Sequence, residues 1–310
     1  MSRFLVTGGA GFIGSHIVEK LVSKRHFVRV LDNFSSGKPE NLKCCIKDID
    51  LMEGDITCAK TCLKAAKGID FILHQAALRS VPKSMRIPQE YNHVNIDGTL
   101  NMLLAAAACN SKRFVFASSS SVYGEVEKFP QKESFLLNPV SPYALSKLAG
   151  EHYCRIFALH FGLPAVALRY FNVFGPRQAL DDEYAVVIPK FINCILKGKP
   201  VPIYGNGRQS RDFTFVTNVV DANLLATKCS LKFGVFNVAS GKDNTLLTLI
   251  RQISLILGKG SEKIFLPKRP GDVFKTLADL KHSHAKLGFK PKIDFLSGLA
   301  ITSDYWRKHA

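Results

Sequence analysis

Tyr143 and Lys147 stand four residues apart in Ser141-Pro-Tyr-Ala-Leu-Ser-Lys147, a spacing that puts both side chains on one face of a helix. A phenol is a poor base near neutral pH, because its ordinary pKa is about 10. An ammonium held beside it favours the phenolate and draws that pKa down, and a cationic ligand ring would add to the effect. A second stretch lies upstream in Ser118-Ser-Ser-Ser-Val-Tyr-Gly124, where four hydroxyls follow the apolar run Arg113-Phe-Val-Phe-Ala117. It contains no acid and no base. A serine run by itself suits a turn, and an exposed Tyr/Lys pair by itself is commonplace. Their setting decides what they are for.

That setting begins at the N-terminus. Phe4-Leu-Val-Thr7 reads as a short apolar strand, and Gly8-Gly-Ala-Gly-Phe-Ile-Gly14 follows directly. Ile13, Ile17 and Leu21 then recur at four-residue spacing, so a helix starts inside the glycine loop. The next strand, Phe27-Val-Arg-Val-Leu31, ends in Asp32. Gly8 permits a tight turn, Gly11 lets backbone approach a pyrophosphate, and Gly14 allows helix to pack on strand. The helix N-terminus offers unpaired N–H groups to phosphates. Asp32 lies where an acid binds ribose hydroxyls, which favours NAD over NADP. The alternation continues through Ile69–His74, the turn Gln75-Ala-Ala77, an Ala/Leu-rich helix over Asn101–Cys109 and the strand Phe114–Ala117. It predicts an α/β chain with a doubly wound, Rossmann-type parallel sheet covered on both faces. Ligands collect beyond the C-terminal ends of such strands, which puts the serine run on the ligand side. There Tyr143 reads as a general base beside a hydride acceptor.

Composition limits the alternatives. The chain has 310 residues, 46% of them hydrophobic, which fits a soluble globular protein of one large core or two coupled units. The longest apolar run, Met102 to Cys109, is far short of the roughly 20 residues that span a bilayer. The first residues carry no signal-peptide pattern, and the eight cysteines show no paired metal-binding spacing. Free thiols, no metal and a cytoplasmic location are expected. The formal charge of +17 raises nucleic acid as a partner. The basic residues are dispersed, however, and attraction for anionic nucleotides explains the charge as well.

The chain is similar to extended short-chain dehydrogenases/reductases of the nucleotide-sugar epimerase/dehydratase family. The resemblance covers essentially its whole length: TGGAGFIGSH at Thr7–His16, LDNFSSG at Leu31–Gly37, HQAA at His74–Ala77, SSSSVYG, SPYALSK, RYFNVFGPRQ at Arg169–Gln178, YGNGRQSRDF at Tyr204–Phe213 and RPGD at Arg269–Asp272. It implies that Gly8, Gly11, Phe12, Ile13 and Gly14 cradle NAD, that Asp32 and Asn33 bind its adenosine ribose, and that Asp55 and Ile56 meet the adenine. Gln75, Ala76 and Ala77 would line the phosphates, Lys147 the nicotinamide ribose, and Tyr170 the nicotinamide. Ser119, Tyr143 and Lys147 would be catalytic, with Ser119 and Ser120 meeting the sugar. Asn172, Val187, Lys190, Tyr204, Arg211, Arg269 and Asp272 would hold the UDP portion, the two arginines meeting its diphosphate. The implied organisation is an NAD-binding unit over 1–171, with a returning segment near 212–240, and a smaller interleaved substrate unit over most of 172–310.

In the family's dehydratases and UDP-glucuronate decarboxylases, acids stand where Ser120 and Ser121 stand here. Hydroxyls do not form a proton-transfer pair near neutral pH, so oxidation and re-reduction at carbon 4 is the chemistry that remains. The stretches HQAALRSVPKS and EYAVVIPKF most resemble UDP-N-acetylglucosamine 4-epimerases. Thr276 occupies a position where a tyrosine restricts relatives to UDP-glucose and UDP-galactose, so room for an N-acetyl group is implied without excluding the plain sugars. The resemblance therefore implies an NAD-dependent 4-epimerase of UDP-sugars, acting as a homodimer. A UDP-uronate 4-epimerase or another nucleotide-sugar oxidoreductase is the alternative, with a non-catalytic NAD sensor or nucleic-acid binder more remote. Arg79 is expected to be a solvated surface residue, although an arginine could also meet a uronate carboxylate.

Overall fold

The computed structural model describes residues 1–180, 187–267 and 273–309. Seven strands form one parallel sheet. In chain order its first six are β1 (Arg3–Thr7), β2 (Phe27–Asp32), β3 (Asp50–Glu53), β4 (Phe71–His74), β5 (Arg113–Ser119) and β6 (Ala165–Tyr170). Short strands follow: β7 (Val173–Phe174), β8 (Val201–Tyr204), β9 (Ser210–Asp212) and β10 (Thr214–Phe215). β11 (Phe233–Val238) then returns to the sheet edge, before β12 (Asp243–Thr245) and β13 (Lys263–Leu266). The sheet order is β11-β6-β5-β4-β1-β2-β3, every neighbour parallel. The order reverses between β1 and β4, the switch point where ligands bind in doubly wound sheets.

The helices follow from the same residue pattern. In the first part of the chain they are α1 (Phe12–Ser23), α2 (Ala59–Ala66), α3 (Val81–Arg86), α4 (Pro88–Tyr91), α5 (Gly98–Ala108) and α6 (Pro142–His160). The rest are α7 (Val187–Leu196), α8 (Val216–Ala226), α9 (Leu246–Leu257) and α10 (Phe295–His309). Alternate residues along the strands feed opposite faces. Val6, Val28, Val30, Val115 and Val166 pack under Ile17 and Leu21 of α1 and Val219 and Ala222 of α8. Leu5, Leu31, Ile72, Phe114 and Phe116 pack against Met102 and Leu103 of α5 and Cys154 and Phe157 of α6. Burying each such side chain contributes about 1.5–3 kcal/mol.

A further core joins α7, α9 and α10 through Phe191, Ile192, Leu249, Ile253, Phe295 and Leu299. Within the expected return near 212–240, α8 packs on the sheet and β11 joins its edge, whereas β9, ending at Asp212, pairs antiparallel with β12 outside it. The Ala/Leu-rich helix begins at Gly98 and is preceded by a π-helical turn, Asn92–Asp97, that runs on from α4.

Candidate active site

The glycine loop joins β1 to α1. Gly8 sits at φ +66, and a Cβ there would come 2.8 Å from the Ala76 backbone, so the two loops at the switch point meet backbone to backbone. At Gly14 a Cβ would lie 2.1 Å from the Gly8 carbonyl. α1 starts at Gly11 with no side-chain cap and no acid in its first turn, which leaves its leading N–H groups for an anion. The cradle fits a dinucleotide pyrophosphate.

His74, at the end of β4, fixes this junction from below. Thr99 Oγ1 spends its proton on the Asn95 carbonyl at 2.6 Å, so it accepts from His74 Nε2–H at 3.1 Å. His74 Nδ1 is then the acceptor for the Thr7 hydroxyl at 2.8 Å. The ring is buried and neutral, its pKa pushed down to about 3 by burial and by the nearby Lys147 charge.

The serine run divides. Ser118 and Ser119 complete β5, and Ser120 opens a 3-10 turn to Tyr123 that ends at Gly124. Gly124 has φ +64 and no room for a Cβ, which would stand 1.9 Å from the Asn138 carbonyl. Ser119 Oγ accepts from the Ser121 N–H at 3.2 Å and the Ser121 hydroxyl at 2.9 Å. Ser118 turns instead to a buried carboxylate, donating to Glu151 at 2.5 Å. Ser141 caps α6 by accepting from the Ala144 N–H at 3.1 Å, with Pro142 in the first turn, which sets Tyr143 near the helix start.

Lys147 is buried; its Nζ donates to the Ala117 carbonyl at 2.8 Å and lies 6.0 Å from the Tyr143 ring centre. Burial lowers its pKa to about 8. Burial raises the Tyr143 pKa, and Ser119 and the Arg79 guanidinium oppose that rise. The Lys147 ammonium, expected to favour the phenolate, donates to the Ala117 carbonyl.

These residues open on one cavity of about 920 Å³. Every predicted site residue that is described lines it, from Gly8 at the cofactor end to Lys190, Tyr204 and Arg211 at the other. Arg269 and Asp272 lie outside the described residues. Asp32 faces the cavity, but its carboxylate oxygens already accept from the Ala10 and Phe34 N–H groups, each at 2.9 Å. Burial raises its pKa against those bonds. Asn33 donates to Asp55 at 2.6 Å, which joins two predicted adenosine contacts. Tyr170 donates to Gln75 at 3.2 Å and accepts from Asn223 at 2.8 Å. Asn172 donates to the Thr276 hydroxyl at 2.9 Å, tying together residues 104 apart. That hydroxyl also accepts from the Asp212 N–H at 3.2 Å. Asp212 is buried and accepts from Ser240, Gly241 and Ala278; burial lifts its pKa to about 6 against those bonds.

Some lining residues escaped the sequence reading. Arg79, expected on the solvated surface, is exposed but lines the cavity and acts on Tyr143. Arg177 was visible only as part of a motif. It donates to the Asn41 carbonyl at 3.0 Å, to His16 Nδ1 at 3.3 Å and to Glu19. His16 Nε2 in turn meets the Pro176 carbonyl at 3.0 Å, and burial, with the Arg177 charge, pushes its pKa down to about 4. Tyr305, Trp306 and His309 reach the cavity from α10, and no local motif marks them. Among the described residues no cluster of three or more His, Cys, Asp or Glu could hold a metal ion, and no helix is long and apolar enough to cross a membrane.

The model of the NAD dependent epimerase/dehydratase family matches residues 4–239. A UDP-N-acetylglucosamine 4-epimerase from Methanobrevibacter ruminantium, solved in complex with UDP-N-acetylmuramic acid, superposes with TM-score 0.95 at 43% identity, covering 100% of this chain and 99% of that one. The UDP-glucose 4-epimerase of Thermus thermophilus, solved with NAD, gives TM-score 0.92 at 38% identity over 99% and 100% of the two chains. A Methanocaldococcus jannaschii protein described as a putative UDP-glucose 4-epimerase is 37% identical over 298 residues, 95% of each chain.

Proposed function

The chain belongs to the NAD-dependent epimerase/dehydratase family, and from that membership we propose that it is a 4-epimerase of UDP-hexoses. Its substrates would be the UDP-N-acetylglucosamine/UDP-N-acetylgalactosamine pair, together with UDP-glucose and UDP-galactose. One observation carries the reading. Ser119, Tyr143 and Lys147 share a cavity with the glycine cradle, and its only carboxylates among the described lining residues are Asp32, the last residue of β2, and Asp55, just past β3. No described acid stands by Tyr143 to drive elimination from a keto sugar.

NAD, when bound, supplies a hydride acceptor at carbon 4 and, once reduced, the donor that restores it. Tyr143 takes the proton of the sugar 4-hydroxyl and later returns it. Ser119, beside the phenol, would bond it and share that proton's path. Lys147, held on the Ala117 carbonyl, has further N–H groups for a ribose hydroxyl. Arg211, Lys190 and Tyr204 would grip the nucleotide, with Arg211 suited to the diphosphate. The sugar end, lined by Ser119, Ser120, Asn172 and Thr276, offers lighter tethers that let the keto sugar turn over.

The experiment is a product assay on purified protein with the paired UDP-sugars, without added NADH, alongside release of co-purified NAD. Tyr143→Phe is expected to retain NAD and to lose activity by about a thousandfold, within the range for a general base. Near-wild-type turnover in that variant would refute the assignment.

One observation favours a second reading, a UDP-uronate 4-epimerase. Arg79 lines the same cavity and lies close enough to Tyr143 for its charge to act there. Including the corresponding uronates in the assay separates the two. A homodimer is proposed through α5 and α6, because Leu104, Leu145, Ile156 and Leu159 remain exposed there.

A further inference from the structure

One buried cluster behind the cavity is not used by the mechanism above. Ser118 of β5, Arg169 of β6 and Asn237 of β11 sit side by side in register, a polar row across three parallel strands. The next row, one residue nearer the cavity, contains Ser119 and Tyr170. Glu151 of α6 covers the polar row. Its Oε1 accepts from Ser118 Oγ at 2.5 Å and from Arg169 Nε at 2.9 Å, and its Oε2 accepts from Arg169 Nη2 at 2.7 Å. Arg169 also donates to the Glu133 carbonyl at 3.3 Å and lies 4.8 Å above the Tyr123 ring. Tyr123 donates to Asn237 at 2.7 Å, and Asn237 N–H donates to Glu133 at 2.9 Å. Glu151 and Arg169 are each at most 4% exposed.

Tyr143, Lys147 and Glu151 are spaced by four, so they form one stripe along α6. Lys147 and Glu151 bond β5 at the Ala117 carbonyl and at Ser118, and Tyr143 lines the same cavity as Ser119. We propose that Glu151 is a positioning residue: clamped to Ser118 and Arg169, it fixes how α6, with Tyr143 and Lys147, lies against the strand that presents Ser119. A buried ion pair of this kind adds little to stability compared with an apolar pair of similar volume. What it supplies is direction. A bidentate guanidinium–carboxylate contact is satisfied in one geometry, whereas Leu against Met tolerates a slide. A displacement on the order of 1 Å at a reacting pair is enough to cost about a hundredfold in rate.

The inference rests on the reading of Tyr143 and Ser119 as the reacting pair, so Tyr143→Phe is run in parallel. Two variants test it: Glu151→Leu combined with Arg169→Met, which replaces the pair without stranding a charge, and Ser118→Ala, which removes one hydroxyl. In the double variant kcat is expected to fall about 10- to 100-fold, with KM for the UDP-sugar and NAD content close to wild type. In Ser118→Ala kcat is expected to fall severalfold, with the acid limb of its pH profile moved to higher pH as Ser119 drifts from the phenol. A merely structural pair would change melting temperature but not that profile. Wild-type kcat and an unmoved profile in Ser118→Ala overturn the proposal, and that variant alone decides if the double variant does not fold. An active Tyr143→Phe protein would instead sink the assignment on which it rests.

Discussion

Acid should destabilise this protein through two buried imidazoles, by an amount that can be worked out. His74 and His16 have folded pKa values pushed down to about 3 and about 4, against an ordinary 6.5. At His74 the cause includes its wiring: with Nε2 donating to Thr99, a second proton on Nδ1 would meet the Thr7 hydroxyl and force it to turn. A group with a lowered folded pKa contributes stability that is present above its unfolded pKa and is lost as pH falls below it. At pH 5 the unfolded chain carries both protons and the folded chain neither. Each histidine then removes about 2 kcal/mol, from 1.5 pH units at about 1.36 kcal/mol each. Asp212 acts in the opposite direction. Its folded value of about 6 lies above the ordinary 3.8, so the folded state takes its proton first. That restores about 1 kcal/mol at pH 5, so these three groups together leave a loss on the order of 3 kcal/mol relative to pH 8. Against a total stability on the order of 5–15 kcal/mol this is readily measured. The assay is urea unfolding at pH 8 and pH 5 for the wild type and for His74→Gln, which cannot titrate. The difference between the two pH values should shrink by about 2 kcal/mol in the variant. Equal pH dependence in both proteins would refute the buried-neutral account of His74.

Gly14→Ala would drive a methyl into the Gly8 carbonyl, a contact of 2.1 Å with backbone that has no side chain to move aside. The expected outcome is loss of co-purified NAD and a lower melting temperature; full cofactor occupancy would contradict the cradle geometry. Thr276→Tyr fills the cavity wall and breaks the bonds to Asn172 and Asp212. Turnover of N-acetylated sugars should fall further than that of UDP-glucose, while Thr276→Ser keeps both bonds and both activities. Equal losses for the two sugars would show that residue 276 does not select the 2-substituent. Arg177→Met removes the cation beside His16, so the His16 pKa should rise from about 4 toward 6.5. An NMR titration of that ring checks it, and an unmoved value would leave burial as the whole cause.

The parts of the site that could be read from the chain are those whose chemistry is local. Gly8 to Gly14 carry turn, phosphate approach and helix start within seven consecutive residues, and Tyr143 and Lys147 share one helix face. Asp32 was legible as a residue at a strand end, but not in its commitment to the Ala10 and Phe34 N–H groups. Contacts that need two distant segments left no local trace. Glu151 looks like any acid on a helix until Arg169 and Ser118 are brought beneath it. Arg79 looks solvated because only the fold brings its loop over Tyr143. Within 212–240, β11 pairs with β6 at the sheet edge and α8 packs on the sheet face, contacts between segments far apart in the chain.

The wall around Asn172, Asp212 and Thr276 has a consequence for anyone exchanging segments between relatives. Its three members come from the end of β6, from β9 and from the stretch after 272, and each bonds the next. A graft that imports the chain from β13 onward carries Thr276 into surroundings whose other two members stay with the recipient. Chimeras joined anywhere between 172 and 276 therefore mix two lineages inside one hydrogen-bonded corner, and altered sugar preference in them would report the seam rather than the donor.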